Sequence, residues 1–110
     1  MAEAPRGLML NLASVDPEHE DEFNRWYEAE HLPDVRERFP QITSARRYRA
    51  TDGHEPRYLV VYEYNVAGED ELNALASHEN PLRRELWQIY DEAMGAFAQR
   101  SRRSFWQIYP

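Results

Sequence analysis

The segment Tyr58-Leu-Val-Val-Tyr-Glu-Tyr64 sets Tyr58, Val60, Tyr62 and Tyr64 against Leu59, Val61 and Glu63. Period two is the spacing of a β-strand, whose successive side chains point to opposite faces. Both faces here are largely apolar, so a strand over residues 57–66 should be central in a sheet and covered on both sides. With 110 residues in all, the chain is expected to form one domain, 1–110, around it.

The rest of the chain supplies partners for that strand. After a loose start over residues 1–6, Leu8, Leu10 and Leu12 alternate with Met9, Asn11 and Ala13, which predicts a strand over 7–15 with Asn11 opposite the leucines. Asp16-Pro17 is a helix start, with the aspartate as N-cap and the proline in the first turn, and the helix is expected over about 17–31. A further turn is expected over 34–39 and a second strand over 42–50. The polar run 51–56 joins that strand to the central one. A short helix follows over 69–77.

Asn80-Pro81 repeats the helix-start signal. It opens a stripe of Leu82, Leu86, Ile89, Tyr90, Ala93 and Phe97, widened by Trp87 and Met94, which reads as core rather than as a cofactor box. A last strand is expected over 101–109, with Phe105, Gln107 and Tyr109 alternating against Trp106 and Ile108.

The order is β-α-β-β-α-β, an α+β ferredoxin-like arrangement with two helices on one face of a four-stranded antiparallel sheet. The other face stays aromatic-rich and apolar, and leaving it in water is costly. A second copy closing it gives a two-fold homodimer.

Composition removes several classes of function. With no cysteine, neither thiolate catalysis nor cysteine-ligated metal is available. All 13 basic residues are arginine, so no lysine can form a Schiff base. The four glycines are scattered and form no phosphate loop. A net charge of -7 argues against nucleic acid as a partner. No apolar run nears the ~20 residues of a membrane span and no signal peptide is apparent, so no membrane partner and a cytoplasmic location are expected.

The chemistry concentrates in Phe23-Asn-Arg-Trp-Tyr-Glu-Ala-Glu-His-Leu-Pro-Asp34. Phe23, Trp26 and Tyr27 share one helical face, Glu30 falls within it and His31 at its edge. Pro33 should end the helix and leave His31 at its C-terminus, beside irregular backbone that opens onto a cleft. His31 is then either a helix cap or an acid/base group, since histidine changes charge near neutral pH. The leading set is His31 with Glu30 and Asp34. Glu30 is either a partly desolvated carboxylate that tunes His31 or one half of an arginine ion pair.

A second set comprises Asn11, Glu63, Gln107 and either Arg47 or Arg49. Each interrupts an apolar alternation, as the few polar groups of a small-molecule pocket do. The structural alternative is a cross-strand ion pair of Glu63 with Arg47 or Arg49. Tyr48, Tyr62 and Tyr64 either donate to a substrate oxygen or pack. His78 reads as a surface junction, His19 as a helix first turn and His54 as a loop tip. No metal-ligand spacing is present, and neither metal nor cofactor is expected.

The strand 7–15, the Trp26-Tyr27-x-x-x-His31-x-Pro33 helix, the Ala45-Arg46-Arg47-Tyr48 strand and the strand 58–64 resemble the dimeric α+β barrel superfamily, and within it the EthD-like group. That resemblance implies a ligand cavity between sheet and helices, with the helix-one histidine near its mouth. Related barrels include isomerases, dehydratases, cyclases, cofactor-free oxygenases and haem-handling proteins.

The expectation is a cofactor-independent enzyme of lyase or isomerase type. It would act on an apolar or aromatic carbonyl, phenol or lactone through proton transfer at His31. The catalytic set is His31, Glu30 and Tyr48, with Asn11, Trp26, Tyr27, Arg49, Tyr62, Glu63 and Trp87 around the substrate. The alternatives are a non-catalytic carrier of a small ligand or haem, and a cofactor-free oxygenase.

Overall fold

Four strands form, the last with limits shifted from those its pattern suggests. β1 (Gly7–Val15), β2 (Ile42–Arg49), β3 (Tyr58–Tyr64) and β4 (Ala98–Trp106) form one four-stranded antiparallel sheet in the order β2-β3-β1-β4. A computed structural model describes residues 6–110, so the start expected for 1–6 lies outside the described residues apart from Arg6. The helices are α1 (Glu20–Trp26), α2 (Leu32–Arg38), α3 (Glu69–Ala76) and α4 (Pro81–Met94). The fold is ferredoxin-like. Among the described residues no helix is long and apolar enough to cross a membrane.

Both helix-start signals operate through their side chains. The Asp16 carboxylate accepts the Glu18 N–H at 3.1 Å and opens a 3-10 turn, Pro17–His19, that leads into α1. The Asn80 side-chain oxygen accepts the N–H groups of Leu82 and Arg83 at 2.9 and 3.3 Å. Each cap satisfies donors that the first helical turn leaves without partners.

The helix-covered face of the sheet carries Met9, Tyr58, Val60, Tyr62 and Tyr64, all buried against Phe23, Val35, Leu86 and Met94. Burying one such side chain contributes about 1.5–3 kcal/mol. β3 is central, as its alternation predicts, but in this chain helices cover only one of its faces. Leu8, Leu10 and Leu12 are not the core face. Register places them with Leu59, Val61 and Phe105 on the side that no helix covers.

β4 starts and ends three residues earlier than its sequence pattern suggests. It pairs along all of β1, from Val15↔Ala98 to Gly7↔Trp106, and the partner strand sets its limits. Trp106 therefore lies on the helix side, and Ile108 and Tyr109 beyond the sheet are exposed.

Candidate functional site

Pro33 does not end the helix. A π turn, Tyr27–His31, carries the chain from α1 into α2, and the Leu32 N–H reaches the Tyr27 carbonyl five residues back. A proline in a regular helix crowds the carbonyl four residues earlier, and the wider turn makes room for it. The turn also resets the helix phase. Phe23, Tyr27, His31 and Val35 all face inward at four-residue spacing, although four α-helical residues overshoot a turn by about 40°. His31 is therefore buried in the middle of a helical run rather than held at a helix end. Glu30 is turned out of the face it would share with Tyr27 in a regular helix, and it is exposed.

Aromatic rings enclose His31. Trp26 stacks on the imidazole with centroids 4.8 Å apart and planes at 20°, while Tyr27 and Tyr90 present edges at 4.8 and 5.8 Å. Burial, reinforced by the positive charges of Arg100, Arg83 and Arg38, pushes the His31 pKa down to about 4. The ring is neutral at neutral pH. Its Nδ1 is buried without a hydrogen-bond partner. The Tyr27 and Tyr62 hydroxyls lie 3.3 Å apart, and burial raises the pKa of both, so each remains a neutral phenol. Burial raises Tyr90 likewise, and its hydroxyl is also without a partner.

Tyr27, His31 and Tyr90 line an inner cavity of about 30 Å³ between the sheet and the helices. Asn11, Arg47, Arg100 and Arg102 come from the sheet, and Tyr27, His31, Arg83, Trp87 and Tyr90 from the helices. An open cleft of about 490 Å³ between α4 and the edge strand β4 shares Trp87, Arg100 and Arg102 with it. The inner space admits one or two waters or the reacting end of a ligand, and the cleft has room for the remainder.

The structure brings His31, Asn11, Tyr27 and Trp87 together around the cavity, with Trp26 stacked on His31 and Tyr62 behind Tyr27. It separates the others from them. Tyr48 is half exposed on the opposite sheet face, because β2 pairs it with Leu59. Glu63 shares that opposite face and pairs with Arg6 at 2.9 Å and Arg46 at 3.9 Å, so its arginine on β2 is neither Arg47 nor Arg49. Arg49 is exposed near the end of β2, and Arg47 two residues earlier lines the cavity instead. Gln107 lies past β4 and accepts the Arg6 N–H at 3.0 Å. Asp34 is engaged by Arg38, so His31 has no carboxylate of the leading set beside it.

Among the other histidines, His78 packs edge-on to Trp87 at 3.8 Å in the outer cleft, and His19 stacks on Phe97 at 4.1 Å. Among the described residues no three His, Asp or Glu side chains are grouped to hold a metal ion. Sequence reasoning missed Arg83, Arg100 and Arg102. The signals were present: Arg83 lies three residues before Leu86 on the buried stripe of α4, and Arg100 and Arg102 keep period two with Ala98.

No family model matches the sequence, and no curated protein matches it. Solved structures do. An EthD family protein from Bacillus halodurans is 13% identical with a TM-score of 0.59, over 91% of this chain and 97% of its own. A dimeric ferredoxin-like protein from an uncultured marine organism is 14% identical at TM-score 0.59, over 97% and 99%.

This chain has the ferredoxin-like fold of these proteins.

A proposed antibiotic biosynthesis monooxygenase from Bordetella bronchiseptica is a further match, 15% identical at TM-score 0.62 over 98% and 99%. At such identities what this chain shares with these proteins is the fold, which hosts many chemistries.

Proposed function

We propose that the protein is a small-molecule enzyme in which His31 moves a proton on an apolar or aromatic carbonyl, phenol or lactone. The observation that carries this reading is a neutral histidine that lines a cavity, caged by aromatic rings, with its Nδ1 buried and unpartnered. An aromatic cage selects flat apolar ligands, and a neutral imidazole accepts a proton without first losing one. Isomerisation, elimination and cyclisation all begin this way. Tyr27, paired with Tyr62, supplies a hydroxyl for a developing oxyanion.

The name of the Bordetella match favours a second reading, a cofactor-free oxygenase. There the same proton abstraction leaves a carbanion that reacts with dioxygen. Both readings share a first step, and that step is measurable without knowing the product. Proton NMR in deuterated water, with a panel of enolisable aromatic ketones and lactones, should show exchange at the acidic carbon catalysed by the protein. His31→Phe keeps a ring in the cage and removes the base. It should lower the exchange rate by about 10²–10⁴-fold. A variant that exchanges as fast as the parent would end the proposal. Comparing aerobic and anaerobic reactions separates oxygenase from isomerase or lyase, and a Soret band would instead mark a haem carrier.

The low pKa of His31 sets the pH profile. A base must be unprotonated, so kcat/KM should hold as pH falls through 6.5 and drop only near the His31 value of about 4. An acid limb at pH 6.5 would mean that another group is the base.

The face carrying Leu8, Leu10, Leu12, Leu59, Val61 and Phe105 is too apolar to remain in water, and a second copy of the chain covers it in our reading. Sedimentation should give a homodimer, and Leu10→Asp should shift it toward monomer. A parent protein that sediments as a monomer at micromolar concentration refutes this.

A further inference from the structure

The chain as a whole is acidic, with a net charge of -7, yet the inner cavity is lined by Arg47, Arg83, Arg100 and Arg102 and by no carboxylate. Two of these cations have nearby acids: Arg47 bonds Glu28 at 3.3 Å, and Arg100 bonds Asp91 at 2.9 Å. Among the described residues Arg83 and Arg102 have none. Arg83 is 3% exposed, and its guanidinium donates to the Tyr64 hydroxyl at 3.1 Å and the Leu75 carbonyl at 3.2 Å. Arg102 donates to the Ala76 carbonyl at 2.5 Å, and its Nη1 is buried without a partner.

Such an arrangement works against folding. A buried charge is costly unless an opposite charge accompanies it, and neutral oxygens compensate only in part. Burial, reinforced by the nearby positive charges of Arg83 and Arg100, pulls the Arg102 pKa down to about 10. Arg83 lies over Phe39 at 4.2 Å, Arg100 over Tyr90 at 4.2 Å and Arg102 over Trp87 at 4.6 Å, and these ring contacts offset the cost only in part. A ligand that brings the missing negative charge would offset the remainder.

We propose that this site takes a carboxylate-bearing aromatic compound, its carboxylate held by Arg102 and Arg83 in the inner cavity and its ring lying along Trp87 in the outer cleft. This rests on the reading of the cavity as a substrate site and names the substrate class. A guanidinium edge matches a carboxylate in size and in donor geometry, and the unpartnered Arg102 Nη1 is a donor already in place. The inner space suits a group of a few atoms and no more. Trp87, which Arg102 overlies at 4.6 Å and Arg100 at 5.6 Å, belongs to both spaces and offers the flat apolar surface on which a ring would rest. The bound anion would also offset the arginine charges that disfavour protonation of His31, so the substrate itself would make that base stronger.

Titration of the dimer or monomer as purified with 2-naphthoate, followed by tryptophan fluorescence and calorimetry, tests the proposal against its neutral isostere 2-naphthamide. The carboxylate should bind about 10- to 100-fold more tightly than the amide, the ratio expected for a charge-assisted hydrogen bond. Arg102→Gln should remove most of that preference, weakening the carboxylate far more than the amide. Equal binding of the two compounds by the parent protein overturns the inference, whether or not the variant folds. An unchanged preference in a folded Arg102→Gln variant does the same. Because binding is measured without turnover, a protein that prefers the carboxylate but catalyses no exchange loses the enzyme reading and keeps the anion site. Exchange without a charge preference has the opposite meaning.

Discussion

Phe23→Ala should lower stability by about 3–5 kcal/mol, the cost of emptying a fully buried aromatic position. Phe23 is 0% exposed and lies within ring-packing distance of Tyr27, Tyr58 and Tyr90, with centroids 5.4, 6.1 and 6.3 Å away. It joins α1 to the central strand and to α4, so no single neighbour can move in to fill the space. The loss would be read from urea denaturation, with a lower midpoint and an unchanged slope. Site and core are the same structure here, because Phe23 also lines the cavity. A loss below about 1 kcal/mol would show that the helix packs on the sheet through other side chains.

Stability should also fall as the solution is acidified, and His31 should account for up to about 3 kcal/mol of that fall. In the folded protein His31 takes up its proton only near pH 4, whereas in the unfolded chain it does so near 6.5. Above pH 6.5 both states hold the neutral ring, and His31 contributes no pH dependence. Between pH 6.5 and about 4 the unfolded state alone gains the proton, so the balance moves steadily toward unfolding. Below that the native ring is protonated too and the loss levels off. His31→Phe removes this contribution. Unfolding free energies of parent and variant should differ by a widening margin as pH drops through that window. Parallel curves would show that the imidazole is hydrated in the folded state.

Much of this protein is legible along the chain. The alternations of β1 and β3, the Asp16-Pro17 and Asn80-Pro81 helix starts and the β-α-β-β-α-β order are local properties. They depend on side-chain period and on backbone donors that a neighbouring residue satisfies. The gathering of Trp26, Tyr27 and His31 is local in the same sense, since helical spacing alone brings them close. Asn11 opposite the leucines follows from strand parity.

Three features were decided only in tertiary structure. The choice of His31 rather than Glu30 as the inward group came from the π turn, which changes the helix phase through one backbone bond that residue spacing does not record. The extent of β4, and with it the inward direction of Arg100 and Arg102, came from pairing with β1. The burial of Arg83 depended on Tyr64, Leu75 and Phe39, which are distant in sequence and close only once sheet and helices have met. Sequence pattern identifies what a segment is able to become. Whether a charged side chain ends in water or in a cavity depends on the surfaces that close over it.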